Sequence, residues 1–84
     1  MRTVELLERA LAVAETLGYT VRHEYLAGGG GGACEYAGRK WLFVDLALSA
    51  DEQLDQVVEA LRSEPRALFI DASPELRKRL GRAA

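Results

Sequence analysis

Apolar residues recur at helical spacing at the start of the chain. Val4, Leu7, Leu11, Ala14 and Leu17 form one stripe, widened by Leu6, Ala10 and Val13. This spacing predicts a helix from about Val4 to Leu17. Thr3 is placed to be its N-cap, and Glu5 suits the first turn. Gly18 stands where a left-handed residue closes a helix, with Tyr19 next for the hydrophobic contact that accompanies such caps. The period then changes to two. From Thr20 to Leu26, Val21, His23 and Tyr25 alternate with Arg22, Glu24 and Leu26, the pattern of a strand. Beyond a run of glycines, Ala33 to Ala37 reads as a short second strand with Cys34 and Tyr36 on one face. Gly38-Arg39 reads as the tight turn that follows it. Lys40 to Leu48 is the strongest strand: Leu42, Val44, Leu46 and Leu48 line one face, and Trp41, Phe43 and Asp45 the other. Apolar residues on both faces make it central, or demand cover for its second face.

Ser49-Ala50-Asp51-Glu52 is a capping box, and Leu54, Val57, Val58 and Leu61 continue it as an amphipathic helix that Pro65 stops. Arg66 to Asp71 holds the apolar center Ala67-Leu68-Phe69-Ile70 and reads as a buried fourth strand. Ser73, Pro74 and Glu75 open a last short helix that ends near Leu80-Gly81. The expected order is α-β-β-β-α-β-α, an α+β (two-layer α/β) single domain over residues 1–84. Its mixed four-stranded sheet carries helices mainly on one face. The first three strands form an antiparallel meander, and a right-handed crossover from Lys40 to Ile70 sets the fourth strand parallel to the third.

Composition narrows the function classes. At 84 residues, with 49% hydrophobic and 29% charged positions, the chain supports one modest core, so a site must lie on its surface or between subunits. A net charge of −2 disfavours nucleic acid, which needs a positive surface. The basic cluster of Arg77, Lys78, Arg79 and Arg82 reads as a helix end complementing its own dipole. No apolar run approaches the ~20 residues that span a bilayer, and the charged first helix is not a signal peptide. The expected location is therefore the cytoplasm, with no membrane partner. Nine arginines against two lysines, with abundant alanine, suggest a GC-rich bacterial genome.

The candidate chemistry is sparse. Gly28, Gly29, Gly30, Gly31 and Gly32 could turn successive amides toward an anion. The run lies between strands, however, without the helix or the Gly-Lys-Ser/Thr ending of a phosphate loop, so a plain or partner-contacting loop is the simpler reading. Cys34, the one cysteine, could act as a nucleophile with His23 as its base if the first two strands pair. Its simpler role is a small buried hydrophobe. One His and one Cys do not make a zinc site, and nothing in the sequence asks for a metal or cofactor. Asp51, Asp55 and Glu59 follow one another at four-residue spacing on the second helix and read as a solvated face. Trp41 and Phe43 carry more information. If two helices cover the aliphatic side of their strand, the aromatic side needs the last helix, tyrosines of neighbouring strands or another subunit.

Two resemblances attach to these residues. The stretch from Gly28 through Leu61 has a glycine run, Cys34, Gly38-Arg39, a strand ending in Asp45 and the helix start Glu52-Gln53-Leu54. It resembles a family of small uncharacterised bacterial proteins, which implies no activity. Gly38 to Leu61 also resembles the strand and helix ahead of the active site in HExxH zinc peptidases of the phage-immunity type. In that register this chain reads Glu59-Ala60-Leu61-Arg62-Ser63, so both histidine ligands and the catalytic glutamate are absent. The resemblance implies a shared α-β-β-β-α layout without peptidase activity. The expected function is a non-enzymatic interaction or self-assembly module, a homodimer or a binder of another protein, using Trp41 and Phe43. The alternative is a small enzyme or anion-binding protein with its site at the glycine loop, Cys34 and His23.

Overall fold

The computed structural model describes residues 2–71 and 73–81; Arg82 of the basic cluster lies outside them. Helix α1 (Thr3–Thr16) leads into strand β1 (Tyr19–Glu24). Strands β2 (Gly32–Tyr36) and β3 (Arg39–Asp45) form a hairpin, followed by helix α2 (Ala50–Leu61), a 3-10 helix (Pro65–Phe69) and helix α3 (Pro74–Gly81). The domain is α+β, with its helices on one face of a three-stranded sheet of order β1-β3-β2.

Two expectations about the sheet are overturned. The first three strands are not a meander: β1 pairs with β3 in parallel, from Tyr19 opposite Lys40 to Glu24 opposite Asp45. β2 pairs with the other edge of β3 in antiparallel register, with Cys34 opposite Trp41. The glycine-rich connection therefore carries the chain across the end of the sheet, and β3 is central by flanking on both sides. Among the described residues there is also no fourth strand. Pro65 lacks an amide donor and fixes its own φ, which favours a tight turn. The Ala67 amide then closes on the Glu64 carbonyl at 2.9 Å. Only Ala67 of this segment is buried, and Phe69 is 84% exposed. A short apolar run does not distinguish a strand from other buried turns by period alone.

The helix ends follow their capping residues. Ser49 Oγ accepts from the Glu52 amide at 3.2 Å, and the Glu52 carboxylate accepts from the Ser49 amide at 3.0 Å. Gly18 takes φ +98 and closes α1. Ser73 Oγ accepts from the Leu76 amide at 3.5 Å at the start of α3. The N-cap of α1 is Arg2 rather than Thr3. Thr3 Oγ1 instead donates to Asp51 at 2.9 Å, joining α1 to α2. The hairpin turn is Ala37-Gly38, one residue earlier than expected, with φ of 53 and 76. Both central residues are left-handed, the geometry that matches strand twist in a two-residue hairpin.

The core lies between the helices and one sheet face. Leu42 and Val44 of β3 are fully buried against Leu6, Ala10 and Val13 of α1 and Leu54, Val57 and Leu61 of α2. Leu76 and Leu80 add α3 to this helical layer. α3 therefore thickens the layer, and no helix among the described residues lies on the opposite face of the sheet.

Candidate functional site

Alternation and register fix what the uncovered face carries, because laterally paired residues point the same way. β3 contributes Arg39, Trp41 and Phe43, β1 contributes Thr20, Arg22 and Glu24, and β2 contributes Cys34 and Tyr36. Trp41 and Phe43 stack with ring centroids 6.0 Å apart, and the Arg39 guanidinium lies 5.4 Å from the Trp41 ring centroid. Both rings are half-buried by their strand neighbours, while Tyr36 is 75% exposed. Arg22 donates to Glu24 at 2.8 Å on the same face. The face thus combines a central aromatic pair with cationic and anionic groups at different heights along the strands.

Asp45 belongs to this side by alternation but is fully buried. Its carboxylate accepts from the amides of Leu26 (2.9 Å), Gly28 (2.6 Å) and Ala47 (2.9 Å). The Leu26 amide above all, then those of Ala47 and Gly28, hold the Asp45 carboxyl below its ordinary range, against burial, which raises it. The Ala47 bond also turns the chain two residues on. This ends β3 at Asp45 instead of Leu48 and leaves Leu46 partly exposed.

The glycine loop closes around the same carboxylate. Ala27 and Gly28 are left-handed, and the Gly29 amide donates to the Leu26 carbonyl at 3.2 Å. The Gly28 amide, first of the proposed anion cradle, thus already holds an anion of the chain's own. Gly31 abuts the Gln56 side chain of α2 so closely that a Cβ there would displace it. Gly32 is paired with Phe43. The loop is tied at both ends.

Cys34 and His23 are not brought together. They lie on opposite edge strands with β3 between them. Their register partners, Trp41 and Val44, point to opposite faces. Cys34 is exposed, not packed in the core, because β2 is an edge strand and its cysteine faces the uncovered side. His23 is exposed as well. The acidic stripe of α2 is exposed but partnered: Asp51 by Thr3, Asp55 by Arg79 at 3.7 Å and Glu59 by Arg62 at 3.1 Å. Among the described residues, no group of three or more His, Cys, Asp or Glu side chains is placed to hold a metal ion. Nor is any helix among them long and apolar enough to cross a membrane.

A second polar cluster escaped the sequence reading. The Tyr19 hydroxyl and Lys40 Nζ both donate to Glu64 Oε2, at 2.8 and 2.7 Å. Lys40 Nζ also sits 4.3 Å from the Tyr19 ring centroid. Burial, with the Glu64 carboxylate behind it, pushes the Tyr19 hydroxyl up to about 12. Lys40, and then Tyr19, hold Glu64 below its usual range. The cluster borders a cleft of about 390 Å³ beneath β2, which Cys34 and Glu35 also line. The available signal was parity: Lys40 shares its side of β3 with Leu42 and Val44, and a cation on a core-facing side needs a partner.

No family model, curated protein or solved structure matches the chain.

Proposed function

We propose that this chain is a cytosolic self-association module whose working surface is the uncovered sheet face. The observation that carries this reading is the stacked Trp41–Phe43 pair on a sheet whose helices all lie on the other side. Aromatic residues are favoured anchors in interfaces, and a second copy presents the same aromatic pair. A two-fold pairing buries both pairs at once.

Area sets the expected strength. Three strands of five to seven residues, ~4.8 Å apart, project a face of roughly 300 Å², well below the ~800 Å² per partner of a standard interface. The association is therefore weak and reversible, and is populated at high micromolar concentration. Light scattering across a concentration series tests it. The mass should rise from the 9.2 kDa monomer toward twice that value. A constant monomer mass up to millimolar concentration contradicts the proposal. The alternative based on Cys34 and His23 has less support, since the two lie on opposite edge strands and neither reaches the other.

A further inference from the structure

We infer that the second copy stacks on the sheet face with its strands antiparallel to those of the first, so that Arg39 of each copy meets Glu24 of the other. This rests on the self-association reading above and specifies the partner's orientation, which that reading leaves open.

The register supplies the argument. Along β3 the uncovered face runs Arg39, Trp41, Phe43, and then Asp45, whose charge is taken up by the amides of Leu26, Gly28 and Ala47. Glu24 lies level with Asp45 on the neighbouring strand. The face is therefore cationic at the Arg39 end, and at the other end, beyond the aromatic pair, Glu24 stands ion-paired at 2.8 Å with Arg22, which is level with Phe43.

Two of the two-fold face-to-face stackings keep the strands of the two copies aligned. With the axis along the strands, each residue meets its own level in the partner. Arg39 then faces Arg39, a like-charge contact that opposes association. With the axis across the strands, between Trp41 and Phe43, the levels exchange. Trp41 of one copy then lies over Phe43 of the other, and Arg39 comes to the level of Glu24. Glu24 is one strand aside, ~4.8 Å, across a gap of about 10 Å between sheets. A long guanidinium side chain spans this separation, and the angle of roughly 30° between packed sheets accommodates the sideways step.

Both charged groups are placed for this contact. Arg39 is exposed and its guanidinium already lies on the face, over Trp41. The carboxylate of Glu24 bonds only Arg22 among the interactions resolved on this face, with its side chain 41% exposed. An exposed pair of this kind is worth little by itself and leaves oxygen lone pairs for a second cation.

Single charge reversals test the orientation. Arg39→Glu and Glu24→Arg each place like charges at both symmetric contacts of their own dimer, so each variant should self-associate about tenfold more weakly or worse. Mixed together, the two variants restore attraction at both contacts. Native mass spectrometry of the mixture should show the mixed dimer well above the share given by random pairing. A random share overturns the antiparallel stacking while leaving self-association intact. A wild-type protein that stays monomeric under the same conditions overturns the underlying reading as well. Salt gives an independent check with a milder change: the wild-type dimer should weaken as ionic strength rises, and Arg39→Gln should lose most of that dependence. An unchanged salt response in Arg39→Gln also counts against the pairing.

Discussion

The two faces of β3 are made by one seven-residue strand and do opposite work. On one side Leu42 and Val44 have no exposed surface and meet both long helices. On the other, Trp41 and Phe43 stack on each other with no helix over them. The difference shows that hydrophobicity alone does not identify the core. Trp41 and Phe43 are as large and apolar as Leu42 and Val44. What separates them is where the helical stripes of α1 and α2 fit, and α3 goes to the helix layer and not to the sheet.

The largest test of this contrast is Leu42→Ala. Removing a fully buried leucine costs the lost transfer energy plus that of the cavity it leaves, about 2–5 kcal/mol. Chemical denaturation should show that loss in the monomer at concentrations too low for association. A loss under about 1 kcal/mol would mean the covered face is not the core. Asp45→Asn comes next and probes the end of the strand, where the glycine loop closes around the carboxylate. The Asp45 carboxylate is held below its ordinary range, so its contribution is fully present above the unfolded carboxylate value. It is lost as the pH falls through the lower folded value. Asp45→Asn should be less stable than wild type at neutral pH, and the gap should narrow in strong acid. A gap that does not depend on pH would show that the carboxylate charge does not hold the loop.

A smaller effect belongs to the covered side. Tyr19→Phe removes one hydrogen bond to Glu64, worth about 1 kcal/mol. The Tyr19 hydroxyl is raised to about 12 from an ordinary value near ~10. Its contribution is therefore present below the unfolded value and is lost as the pH rises between the two. Wild type should lose stability relative to Tyr19→Phe over that alkaline interval; parallel curves would remove Tyr19 from the network.

Local signals in the sequence were readable where local physics decides. The Ser49–Glu52 box, the Gly18 stop, the Ser73 cap and the two-sided pattern of β3 all rest on neighbours within a few residues. The aromatic face was readable for the same reason, since parity along one strand put Trp41 and Phe43 opposite the aliphatic row. Strand order was not readable. The parallel pairing of β1 with β3 depends on the glycine connection crossing the sheet end, and alternation within β1 is the same for either neighbour. The Ala67–Ile70 run was ambiguous because four apolar residues suit a strand or a tight turn, and Pro65 decided it. The Tyr19–Lys40–Glu64 cluster joins residues 24 and 45 positions apart, beyond any local pattern. Cys34 was misread as a packing residue because its burial depends on which edge β2 occupies.

Trp41→Glu tests the central claim most directly, because the two sides of β3 predict different outcomes for one substitution. Sedimentation equilibrium of wild type and variant at high micromolar concentration, with thermal unfolding followed in parallel, reads both. If the aromatic side is an association surface, wild type sediments as a monomer–dimer equilibrium, and Trp41→Glu as a folded monomer within about 1 kcal/mol of the wild-type monomer's stability. A wild-type protein that is monomeric throughout, or a variant that unfolds as a core substitution would, contradicts the account.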